Sequence, residues 1–64
     1  SHAQRDVFNL LLIESLICME DYKTAGALLV ERSARHKNSV STKKKLDHVN
    51  ASLNLSQTGV GLNA

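Results

Sequence analysis

The chain has 64 residues, with eight lysines and arginines against six acids, three histidines, one cysteine, no proline and a net charge of +2. That length excludes more than one domain and leaves a thin core, because a chain of this size buries only about 60% of the surface it exposes when unfolded. The single cysteine, Cys18, excludes an internal disulfide, and so small a net charge does not point to a polyanionic partner.

The charge is divided along the chain. Residues 1–31 set Arg5 and Lys23 against Asp6, Glu14, Glu20, Asp21 and Glu31, while residues 32–64 set Arg32, Arg35, Lys37, Lys43, Lys44 and Lys45 against Asp47 alone. Blocks of this kind sit on solvated faces more often than in binding sites. No secretory leader pattern is present, and the longest apolar run is far shorter than the roughly 20 residues a bilayer requires. The chain is therefore read as a cytoplasmic fragment without a membrane span, beginning at Ser1 rather than at a methionine.

The first helix is expected over about residues 2–19. Ser1 and Gln4 have capping-box spacing, in which the hydroxyl takes a free backbone N–H and the amide reaches back. From Val7 to Met19 only Asn9, Glu14 and Ser15 are polar. At about 100° per residue the apolar side chains cover most of the circumference instead of one stripe. Such a helix needs neighbours on more than one side, so Val7–Met19 is expected to require cover from outside this chain. Cys18, inside that run, is expected to be a small core hydrophobe.

Glu20 and Asp21 end the run, and Asp21 is a good N-cap for a second helix over about residues 22–36. Tyr22, Ala25, Gly26, Leu29, Val30 and Ser33 recur at helical spacing and are expected to share one buried face. Gly26 costs about 1 kcal/mol against alanine inside a helix, which argues for a close approach of another helix there. Arg32 and Arg35 suit the C-terminal end of the dipole. Glu31 and Arg32 read as a surface pair or as a bridge to the following helix.

Residues 37–41 read as a loop, with Ser39, Ser41 and Thr42 all offering N-cap oxygens. A third helix over about residues 42–55 would bury a thin stripe of Leu46, Val49, Asn50 and Leu53. Its first turn would hold Lys43, Lys44 and Lys45 against the dipole. Residues 56–64, with two glycines and no period, read as a disordered tail.

Candidate chemistry is sparse. His2, Gln4, Arg5 and Asp6 could form an interaction surface that positions a peptide or an anion, although capping and dipole effects account for the same residue types. His2, His36, His48 and Cys18 are nowhere three or four residues apart, so no helix face presents a metal-ligand pair, and no metal or cofactor is expected. No phosphate loop or nucleophile elbow occurs, and the chain is not read as an enzyme. Lys43–Lys45 could place the third helix on nucleic acid as a helix-turn-helix. Asp47 beside the lysines and the absence of an arginine from that helix weigh against base readout, leaving a small basic nucleic-acid-binding domain as the alternative.

The turn "EDYKTA", Glu20–Ala25, resembles the Gly-Asp-Tyr-x-x-Ala turn of tetratricopeptide repeats, with Glu20 where the repeat has glycine, Lys37 where its closing proline commonly stands, and Ile13 at a position usually kept small. The longer run of "SHAQRDVFNLLLI", "LLVERSA" and "KNS", in this order and spacing, resembles the C-terminal segment of the tetratricopeptide repeat protein 38 family over about residues 1–53. The resemblance implies an all-α fold: an antiparallel helical hairpin plus a third helix, at the C-terminal end of a solenoid in which each hairpin covers its neighbour. Tyr22, Ala25, Gly26 and Leu29 would be the repeat contacts. The implied role is a protein-interaction or scaffold segment whose partners are a protein or peptide and upstream helical repeats. On its own, such a segment is expected to self-associate.

Overall fold

A computed structural model describes the backbone of residues 1–63 and the side chains of residues 1–55. It shows an all-α chain of three helices in the order α1 (His2–Cys18), α2 (Tyr22–Arg35) and α3 (Val40–Asn63), with no strand among the described residues. The radius of gyration is 13.2 Å and the extents are 48 × 22 × 14 Å. A globular chain of this length would have a radius of about 11 Å, so the molecule is a drawn-out slab.

Each helix start is fixed by a local hydrogen bond. The Ser1 hydroxyl accepts the Gln4 N–H at 3.3 Å, and the Gln4 side chain accepts from the Ser1 nitrogen at 3.2 Å, closing the expected capping box. Asp21 caps α2 by accepting the Thr24 N–H at 3.4 Å. Ser39 wins among the three candidates for α3, accepting the Thr42 N–H at 3.2 Å. Its choice starts α3 two residues earlier than expected. Val40, Ser41 and Thr42 therefore form the first turn, and Lys43–Lys45 fall beyond it, where the dipole effect has largely decayed. Helix α3 runs on past Leu55 to Asn63. The tail expected over 56–64 falls on residues whose side chains, and for Ala64 the backbone, lie outside the described residues.

Between α1 and α2 the chain turns in three residues. The Glu20 N–H donates to the Ile17 carbonyl at 3.0 Å and the Asp21 N–H to the Leu16 carbonyl at 2.9 Å. This paired closure requires a left-handed residue between the helices. Glu20 supplies it, with φ 61°, although side chains resist that conformation.

The second helix lies between the other two and packs against both. The core consists of Ile13 and Leu16 from α1, Ala25 and Leu29 from α2, and Val49 from α3, with Ile17, Tyr22, Leu28, Leu46 and Leu53 packed around it. Gly26 has the packing reason its cost implied: a Cβ there would lie 3.3 Å from Val49 Cγ1. Two expected stripes are corrected. Val30 is exposed, and Asn50 is exposed. Each stands one residue past a buried neighbour, Leu29 or Val49, and a step of about 100° carries it off the seam. The rest of the expected α3 stripe faces inward, Val49 buried and Leu46 and Leu53 half-buried, and Thr42 rather than Asn50 completes the line at helical spacing.

Candidate functional site

Three surfaces of the slab carry features beyond packing. The first is the outer arc of α1. Ile13 and Leu16 point inward, and the rest of the circumference leaves Val7, Phe8, Leu11 and Leu12, with Met19 just past the helix end, more than half exposed, Phe8 at 72%. Single exposed apolar residues are ordinary, but a contiguous set along one helix marks a contact surface. Among the described residues nothing covers it.

The second is a groove of about 540 Å³ between α1 and α3, floored by Ile17 and Cys18 and walled on the far side by Ser41, Lys44, Lys45 and His48. Lys45 Nζ lies 3.8 Å from Glu14 Oε1 across it. Tyr22 of α2 reaches the same wall, its ring edge-on to His48 at 6.1 Å between centroids. Cys18 is exposed here, which corrects its expected burial. It stands five residues after Ile13, about 140° away around the helix, and so leaves the seam altogether. The three lysines divide: Lys43 is exposed on α3, Lys44 lines the groove and Lys45 turns toward Glu14. The face of α3 that enters the protein carries Thr42 and Val49.

The third is a polar junction where the start of α1 meets the end of α2. Arg32 is 7% exposed. Its Nη1 donates to Asp6 Oδ1 at 2.9 Å and to Asn9 Oδ1 at 3.0 Å, and its Nη2 donates to Asp6 Oδ2 at 3.2 Å. The result is a two-pronged guanidinium–carboxylate pair with a side branch. His36 Nε2 approaches Asp6 Oδ1 at 3.2 Å, and Arg35 Nη2 donates to Asn9 at 3.4 Å. The hydrogen bonds from Arg32 hold the Asp6 carboxyl below its ordinary value of 3.8, against the opposing push of desolvation. Arg32 is thus neither a surface residue nor a bridge forward to α3; it reaches back to α1. Asp6 serves as its acceptor.

The sequence carried a signal for this junction. Asp6, Asn9, Ile13 and Leu16 lie on one line of α1, and Ala25, Leu29 and Arg32 on one line of α2. Antiparallel pairing then sets the polar half of one line against the charged end of the other. Of the expected interaction residues, His2, Arg5 and Asp6 share a hollow at this junction, while Gln4 is occupied in the cap and, with Val7 and Phe8, borders a smaller depression on the outer arc. Among the expected repeat contacts, Ala25 and Leu29 are buried, Gly26 meets Val49 and Tyr22 meets His48. Among the described residues no helix is long and apolar enough to cross a membrane.

No family model, no curated protein and no solved structure matches this chain.

Proposed function

We propose that the chain is the C-terminal interaction segment of a tetratricopeptide-type helical array of the kind found in the tetratricopeptide repeat protein 38 family, cytoplasmic and without catalytic activity of its own. In this reading a preceding hairpin covers α1, α2 is the second helix of the last full hairpin, and α3 ends the stack as its polar cap. The groove between α1 and α3, mostly apolar in the surface it presents and bordered by Glu14, Lys44 and Lys45, is the surface offered to a protein or peptide.

The observation that carries the reading is the uncovered outer arc of α1. Val7, Phe8, Leu11 and Leu12 are each more than half exposed along this one helix, and a run of neighbouring exposed apolar side chains marks a contact surface. Helix packing supports it further, since α2 packs against both other helices while among the described residues α1 packs mainly against α2.

Sedimentation of the 64-residue chain together with binding of a hydrophobic dye tests the reading. The chain is expected to associate and to bind dye. Phe8→Glu combined with Leu11→Glu is expected to abolish both while leaving helical content intact, because neither side chain is in the core. A chain that sediments as a monomer, melts sharply and binds no dye would overturn the proposal.

A further inference from the structure

The hollow at the junction of α1 and α2 measures about 480 Å³ and is lined by His2, Ala3, Arg5, Asp6, Arg35 and His36. Four of these six carry, or can carry, positive charge. The one carboxylate, Asp6, is shared between Arg32 standing behind it and His36 beside it, so it is already partnered, and the charges left facing the hollow are those of Arg5 and Arg35. Among the described residues no acid lies within ion-pair distance of either arginine. The dipoles of α1 and α2 oppose each other at this end, the start of one beside the finish of the other, so the side chains rather than the helices set the local field.

We propose that this hollow is an anion site that takes a phosphate monoester. Two guanidinium groups come from different helices, Arg5 from α1 and Arg35 from α2, with the His2 imidazole lining the same hollow. Guanidinium forks match phosphate oxygens in pairs, and a dianion with three terminal oxygens can use donors from both walls. The volume exceeds that of a bare phosphate and leaves room for the organic group esterified to it. The site is distinct from the α1–α3 groove and does not depend on whether the chain belongs to a helical array.

The test is a nuclear magnetic resonance titration of the 64-residue chain with inorganic phosphate at constant ionic strength, chloride serving as the reference anion. Saturable shifts are expected at the amides of Ala3, Arg5, Arg35 and His36. Arg5→Gln and Arg35→Gln should each weaken binding about tenfold, the scale of one lost charge-assisted hydrogen bond. Lys43→Gln, which removes the same charge from α3, should change it less than about twofold. Both arginines are exposed, and unchanged circular dichroism verifies that the variants fold. A serine-phosphorylated peptide and its unphosphorylated counterpart separate the two sources of the group. Tighter binding of the phosphopeptide than of inorganic phosphate assigns the site to a modified protein segment; equal binding assigns it to free phosphate esters. Linear, unsaturable shifts, or equal weakening by Lys43→Gln, would overturn the proposal.

Discussion

Replacing Glu20 with glycine should stabilise the chain. Glu20 holds φ 61°, where the Cβ of an L-residue crowds the following carbonyl at a cost of about 1–2 kcal/mol. The conformation is enforced by the two hydrogen bonds that close α1, from Glu20 to Ile17 and from Asp21 to Leu16, so the residue cannot relax without opening the turn. Glycine removes the clash but adds about 0.5–1 kcal/mol of backbone entropy to be lost on folding. The Glu20 side chain is exposed and makes no ion pair among the described residues. Its charge stands between the unfavourable end of α1 and the favourable start of α2, which largely offset each other. The net gain is about 0.5–1 kcal/mol, equivalent to a rise in melting temperature of about 2–8 °C for a domain of this size. Thermal denaturation followed by far-ultraviolet circular dichroism measures it. Glu20→Asn should fall between wild type and glycine, and Glu20→Val should lie below wild type, since a β-branched side chain tolerates this region worst. A glycine variant no more stable than wild type, or a valine variant no less stable, would refute the reasoning.

Thr42 is 2% exposed and its hydroxyl has no hydrogen-bond partner; Thr42→Val keeps the shape, removes the stranded oxygen and should stabilise by about 1 kcal/mol in a urea melt. Gly26→Val sends a branched side chain into Val49 across a gap that a single Cβ already narrows to 3.3 Å, and should destabilise by about 1–3 kcal/mol on the same assay. Asp6 has its folded pKa lowered from 3.8 by the Arg32 hydrogen bonds. Its contribution is therefore complete above the ordinary carboxylate range and is lost as the pH falls below about 4 through the lowered value. Melting temperature plotted against pH should drop more steeply below pH ~4 for wild type than for Asp6→Asn, and parallel curves would remove Asp6 from the acid response.

The three helices, and the starts of the first two, were legible along the chain because the interactions that set them are local; α3 begins two residues before the expected Thr42 because Ser39, the earliest of three candidate hydroxyls, caps it. Ser1 with Gln4, and Asp21 with Thr24, meet within one turn whatever else the protein does. So did the close approach at Gly26, where a glycine inside a helix has to be compensated by something. Which side of each helix faces inward was a different matter. The first helix is apolar around most of its circumference, and hydrophobicity alone gives such a cylinder no preferred azimuth. Pairing with α2 decided it: the face of α1 that buries Ile13 and Leu16 is the one that also brings Asp6 and Asn9 to the Arg32 guanidinium group. The same rotation sent Cys18 to the groove and Val7, Phe8, Leu11 and Leu12 to the outside. Local chemistry thus determined where each helix begins, and the packing of one helix on another, which exists only once two helices meet, decided how each is turned.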